Sequence, residues 1–208
     1  MNSIRPTKWL STEEVAQLVA SSRSWASDDL QNGRRQGAVA WALVDAALGT
    51  GLRRGELRLL NVGDLLAEQG VLRVWRLKKR KGKQRDELLV SPSLVKHLVS
   101  FIAWKRAAGE SIEASAPLLV GKRGRFGGEG LSCLWRSAIV RAGLPVFYSI
   151  HCARHTYGSH MAHKSGSIEV VRQQLGHSSV ETTAKFYAHA WTKDIEKAVS
   201  SLYEPDGV

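Results

Sequence analysis

Apolar positions recur along this chain at two periods, and the switch between them divides it into a helical start, a short extended middle and a helical remainder. Ser11-Thr12-Glu13-Glu14 has the form of a capping box, with Ser11 at the helix start and Glu14 reaching back. The stripe Val15, Leu18 and Val19 then predicts a helix over 12–22. Residues 23–36 are polar and read as a loop. From Gly37 the run AVAWALVDAALG is apolar on nearly every face, which predicts a buried helix ending at Gly49. A short helix carrying Arg53, Arg54, Glu56, Leu57, Leu59 and Leu60 follows Thr50-Gly51. Val71, Val74 and Trp75 in VLRVWRL predict one strand, and Leu88-Leu89-Val90 a second. Ser91-Pro92 opens a helix to about residue 108 with Leu94, Leu98 and Ile102 turned inward. A short apolar run over 117–120 precedes a glycine-rich basic loop, GKRGRFGGEG. Helices are predicted over 131–142, 151–163, 168–175, 180–189 and 192–202. No internal repeat interrupts this order. The expected fold is mainly α with a small antiparallel β-sheet (α+β), in one domain over 1–208.

Composition sharpens the picture where it departs from the ordinary. A hydrophobic content of 43% is that of a globular chain, but 30 Lys+Arg against 19 Asp+Glu leave a net charge of +11. Such a field favours a polyanion or an anionic membrane surface. No run approaches the roughly 18 apolar residues that span a bilayer, and MNSIRPTKWLSTEE lacks the apolar core of a signal peptide. Nucleic acid in the cytoplasm, at the nucleoid, is the expected setting. Cys133 and Cys152 are too few for a disulfide framework and read as reduced thiols.

The charge is concentrated. Arg73, Arg76, Lys78, Lys79, Arg80, Lys81, Lys83 and Arg85 place eight basic residues within positions 71–85, between the two strands. Like charges at this density repel unless something negative lies beside them, so the hairpin is expected to contact phosphates rather than only guard a sheet edge. The GKRGRFGGEG loop lacks the Gly-Lys-Ser/Thr ending of a P-loop and is expected to be flexible and to touch DNA backbone.

Chemistry-bearing residues gather towards the end of the chain. His151 and Arg154 stand three apart, then come Gly176-His177 and Tyr187. Histidine, arginine and tyrosine can all bind or attack a phosphate. HxxR alone is a weak signal: His151 and His155 at i, i+4 would also suit zinc, with Cys152 or His160 completing a site. No Glu occupies the HExxH position.

Taken together, the residues H-C-A-R-H-T, L-G-H-S-S and F-Y-A-H resemble the second motif block of the tyrosine site-specific recombinases (the phage-integrase family). The first block of that family, an arginine within Thr-Gly-Leu-Arg-x-x-Glu-Leu, has its counterpart in Thr50-Gly51-Leu52-Arg53-Arg54-Gly55-Glu56-Leu57. The resemblance covers nearly the whole chain, and it implies a catalytic-domain fold without the separate N-terminal DNA-clasping domain of most members. It further implies cleavage and rejoining of double-stranded DNA without metal, cofactor or ATP, through a 3′-phosphotyrosyl intermediate on Tyr187. Arg53 and Arg154 would fork onto the non-bridging phosphate oxygens, a geometry that lysine lacks. His151 would be the general acid/base, and His177 would hydrogen-bond the phosphate or position the tyrosine. A hairpin lysine would protonate the departing 5′-oxygen. Counting forward from the first strand reaches Lys78 and counting back from the second reaches Lys81; the better-defined first strand favours Lys78. Glu56 and His155 are expected to support Arg53 and the active-site helix. The family implies a homo-tetramer on paired sites, with residues 192–202 docking on a neighbour and accessory DNA-bending proteins in some settings. A type IB-like topoisomerase and a catalytically idle DNA-binding regulator of the same fold remain as alternatives.

Overall fold

The polar stretch after Ser22 is helical, not a loop. The computed structural model, which describes residues 9–76 and 85–176, extends α1 over Thr12–Gln31. Leu18, Ser22, Trp25, Ala26 and Asp29 are buried at spacings of three and four, so a single inward stripe runs through the charged segment. At its start Ser11 Oγ accepts from the Glu14 N–H while Glu14 accepts from the Ser11 N–H, the reciprocal cap the sequence predicts.

Helix α2 (Gln36–Thr50) packs along α1 and is buried on most sides, as its apolar run requires. The crossing is tight at Gly37, where a Cβ would lie 2.4 Å from the Trp25 carbonyl oxygen. Asp29 fixes the intervening turn by accepting from the Gly37 N–H at 2.7 Å and from Arg34 Nε at 2.8 Å. Gly51, in the left-handed conformation at φ +61°, ends α2.

Helix α3 (Arg54–Leu59) leads into a three-stranded antiparallel sheet, β1 (Leu65–Leu66), β2 (Val71–Trp75) and β3 (Arg85–Leu89), in the order β1-β2-β3. The register pairs Leu72 with Leu88, Val74 with Asp86 and Trp75 with Arg85. Helix α4 (Pro92–Ala107) starts from a Ser91 cap with Pro92 in its first turn. The glycine-rich segment expected to be a loose loop contains a two-stranded hairpin, β4 (Val120–Gly121) with β5 (Gly124–Arg125), and then opens α5 (Gly128–Arg141). Arg125 turns inward, donating from Nη1 to the carbonyls of Arg58 at 2.7 Å and Leu60 at 3.3 Å. Burial, then the nearby Arg58 charge, lowers its pKa. That side chain ties the hairpin to the end of α3 and the residues after it.

Helices α6 (Ile150–Ser165) and α7 (Ile168–Leu175) follow. The core gathers around α2, with Leu43, Leu57, Leu98, Leu118, Trp135 and Ile139 all fully buried. A smaller cluster of Ala162, Val171 and Leu175, flanked by Tyr157 and Met161, joins α6 to α7. Helix α6 is held from several sides: Thr156 Oγ1 accepts from the Leu10 N–H, and Trp135 Nε1 donates to the Tyr148 carbonyl just before the helix. Among the described residues no helix is long and apolar enough to cross a membrane. The helices expected over 180–189 and 192–202 lie outside the described residues.

Candidate active site

Arg53 sits at the N-cap of α3, and its position is set by a carboxylate one turn along. Glu56 Oε2 accepts from the Arg53 N–H at 2.9 Å, and Oε1 accepts from Arg53 Nη1 at 3.0 Å. A capping box normally uses a neutral Ser or Thr; here the same Glu closes the helix end and holds the guanidinium. Glu56 is fully buried, whereas the Arg53 side chain remains about one-fifth exposed. One end of this pair therefore faces inward and the other can meet a ligand.

Helix α6 contributes His151 and Arg154, which lie one turn apart on the same face. His151 is exposed in the first turn, and its ring meets that of His155 edge-on at 5.3 Å. Arg154 is buried, with 4% of its surface exposed. Its Nη1 donates to the Gly51 carbonyl at 2.8 Å and its Nη2 to the Leu175 carbonyl at 2.9 Å. The first acceptor lies two residues before Arg53, and the second at the end of α7. Thus the two motif blocks, about a hundred positions apart in sequence, meet at one guanidinium.

Glycine permits this convergence. A Cβ on Gly51 would lie 2.6 Å from Tyr157 Cδ1 and 2.8 Å from Leu175 Cδ2, and its φ of +61° already disfavours any side chain. Gly176 closes α7 at φ +62°, where a Cβ would lie 2.7 Å from Arg76 Nε. Tyr157, packed against Gly51, has its hydroxyl pKa raised by burial, with Arg76 opposing that shift. Further along α6, the His160 pKa is lowered by burial, then by Lys164 and His163.

Three of the hairpin's eight basic residues lie among the described residues, and all three are bonded within the protein. Arg76 is buried, donating from Nε to Asp86 at 3.2 Å, from Nη1 to Glu56 at 3.5 Å and from Nη2 to the Gln174 carbonyl at 2.8 Å. Arg73 donates to the Gly63 carbonyl at 2.7 Å, and Arg85 pairs with Asp64 at 3.2 Å and covers the Trp75 ring at 4.8 Å. These three are engaged with the protein itself. Lys78, Lys79, Arg80, Lys81 and Lys83 lie outside the described residues, as do His177 and Tyr187. Arg76 is the residue that charge counting misses, although strand parity points to it: Leu72 and Val74 are fully buried, and 76 continues their side of the pleat.

Arg53, at the start of α3, is held by a carboxylate, and Arg154, on α6 with His151 one turn before it, is held by backbone carbonyls. Such an arrangement suits a phosphodiester, whose non-bridging oxygens accept from guanidinium forks. Among the described residues no three His, Cys, Asp or Glu side chains group to hold a metal ion.

Comparison with known proteins agrees with this geometry. The profile of the Phage integrase family matches residues 8–193. A tyrosine recombinase XerD of Rickettsia bellii (strain RML369-C) is 27% identical over 94% of the chain, which covers 63% of that relative. A tyrosine recombinase XerD of Rhizobium meliloti (strain 1021) is 30% identical over 93% of the chain, covering 60% of it. The chain thus spans about three-fifths of the length of these relatives. The crystal structure of the XerA recombinase superposes with a TM-score of 0.75 at 24% identity, over 98% of this chain and 67% of its own. The XerH site-specific recombinase bound to a palindromic difH substrate, in a post-cleavage complex, superposes at 0.71 and 21% identity, over 94% and 53%.

Proposed function

The chain belongs to the phage integrase family, and from that premise we propose that it cleaves and rejoins double-stranded DNA at specific sites through Tyr187. The observation that carries this reading is the bond from Arg154 to the Gly51 carbonyl, which brings the two arginine blocks to one place. Arg53 and Arg154 neutralise the non-bridging oxygens of the scissile phosphate. The Tyr187 phenolic oxygen attacks phosphorus and gives up its proton, with His151 and His177 assisting. The P–O5′ bond breaks, Lys78 delivers a proton to the leaving oxygen, and a 3′-phosphotyrosyl bond and a free 5′-hydroxyl remain. Attack by the 5′-hydroxyl of a partner strand reverses the step and reforms a phosphodiester, so bond energy is retained throughout. Phenol ionises near pH 10, so a nearby base and positive charge are needed at neutral pH. Guanidinium groups fixed by the fold stabilise the pentacoordinate transition state without reorganising.

The net charge of +11 supports a DNA partner, with an affinity that falls steeply as salt rises. A homo-tetramer on two sites, assisted by DNA-bending proteins and acting at the nucleoid of the cytoplasm, completes the proposal. The test uses a pool of duplexes nicked beside a fixed position and randomised on both sides, without divalent metal. Wild type should yield SDS-resistant protein–DNA adducts and thereby select its site, whereas Tyr187→Phe should yield none. Adducts with Tyr187→Phe, or none with wild type, would overturn the reading. Relaxation of plasmids lacking the selected site would point to a topoisomerase instead.

A further inference from the structure

We infer that Arg76 is a positioning residue that sets Arg53 and Arg154 relative to one another. This rests on the phosphate role proposed above for those two arginines. Helix α7 ends with carbonyls that have no partner inside the helix, and such a terminus carries partial negative charge. Two adjacent carbonyls there are taken by two different arginines: Gln174 by Arg76 and Leu175 by Arg154. Arg154 continues to Gly51, two residues before Arg53. Arg76 continues to Glu56, whose carboxylate holds both the backbone and the guanidinium of Arg53. The bonds therefore form a closed ring: Arg53, Glu56, Arg76, the end of α7, Arg154, Gly51 and back to Arg53.

Within that ring Arg76 plays a different part from the other two arginines. Its side chain is 2% exposed and lies between two carboxylates, Glu56 and Asp86, so its charge is matched inside the protein. It is also packed directly under Gly176, leaving no room there for a Cβ. A lysine could satisfy one of these acceptors but not three, because they lie on different edges of the guanidinium plane. The ring gives Arg76 a route to the chemistry through other side chains, without contact with substrate.

The experiment compares wild type, Arg76→Lys and Arg76→Met on the selected nicked duplex in two forms. One carries a natural phosphodiester at the scissile position, and the other a methylphosphonate, in which a charged oxygen is replaced by a methyl group. With that charge absent, accurate placement of the guanidinium groups matters less. Arg76→Met should form adduct about tenfold to a hundredfold more slowly than wild type on the phosphodiester, and within about threefold of it on the methylphosphonate. Arg76→Lys should show the same selective loss, since it lacks the fork. The ratio of the two rates within one preparation is independent of the fraction folded. Equal losses on both substrates, no loss on the phosphodiester, or absence of recovery because the neutral substrate is inert would each overturn the inference. Failure of wild type itself to form an adduct would instead remove the proposed function, and this inference with it.

Discussion

Replacing Gly51 by alanine tests the close approach on which the Arg154 contact depends. Two penalties combine at this position. An alanine held at φ +61° is in the left-handed region, at a cost of about 1–2 kcal/mol. Its Cβ would also lie 2.6 Å from Tyr157 Cδ1 and 2.8 Å from Leu175 Cδ2, inside contact distance for both. Both the Leu175 methyl and the Tyr157 ring would have to give way. Overpacking of this kind costs about 1–3 kcal/mol, so the sum is about 2–5 kcal/mol. For a domain of this length that lowers Tm by roughly 4–20 °C. Gly33 supplies the control, because it has φ +65° but nothing within 4 Å of the position a methyl group would take. Gly33→Ala should therefore show only the conformational penalty, about 1–2 kcal/mol. Thermal unfolding of the two variants under identical buffer conditions makes the comparison. Equal losses would refute the argument, since they would leave no steric component at Gly51.

Glu56→Gln keeps the shape but puts an amide where two guanidinium groups converge. It should lower stability by about 2–4 kcal/mol, since breaking a buried pair leaves charge uncompensated, and a loss under about 1 kcal/mol in chemical denaturation would contradict the geometry. Acid sensitivity should trace in part to His160. Its folded pKa is lowered by burial, then by Lys164 and His163, so its contribution is complete above the unfolded value of about 6.5 and is lost as pH falls through the folded value. His160→Gln should consequently flatten the decline of Tm as pH falls below about 6.5, and parallel wild-type and variant curves would show that another group is responsible. Arg125→Met should reduce stability by about 1–3 kcal/mol, because the Arg58 carbonyl and the Asn61 side-chain oxygen lose a donor, while the Leu60 carbonyl keeps the Leu118 N–H. Adduct formation by its folded fraction should stay close to wild type, and a selective loss on the phosphodiester would place Arg125 in the chemistry after all.

Legibility in the sequence follows the physics of each segment. Helix α7 matches its predicted bounds because both ends carry strong signals, a Ser167 side chain that accepts from the Val170 N–H and a left-handed Gly176. The start of α1 is equally plain from its capping box. Its second half is not, because Trp25 and Ala26 are set among Arg, Ser and Asp, and composition obscures a stripe that spacing preserves. The inward turn of Arg125 has no local signal at all, since its acceptors are the backbone carbonyls of Arg58 and Leu60 and the side chain of Asn61, more than sixty positions earlier. Arg53, His151 and Arg154 can be named from the motifs they stand in. The meeting of Arg154 with the Arg53 block comes from tertiary contacts at Gly51 and Leu175 that no periodicity encodes. Arg76 is easily misread because charge density draws attention to the hairpin as a surface, while the parity of Leu72, Val74 and Arg76 carries the better information.

The arginines of this chain share one charge and are sorted by what accepts from them. A carboxylate both orients a guanidinium and cancels its charge, whereas a backbone carbonyl orients it and leaves the charge in place. Arg76 has two carboxylates, Arg53 shares one of these, and two of the Arg154 donors go to carbonyls. Acceptor type alone does not find the site, because Arg125 also donates to carbonyls. Location decides between them. The acceptors of Arg154 come from the residue two before Arg53 and from the end of α7, so its orientation is bound to the placement of Arg53. Those bonds are made on folding, so under the proposed function the scissile phosphate would meet donors already in place. Changes within the ring should therefore alter stability and phosphate chemistry together, and changes at Arg125 should alter stability alone.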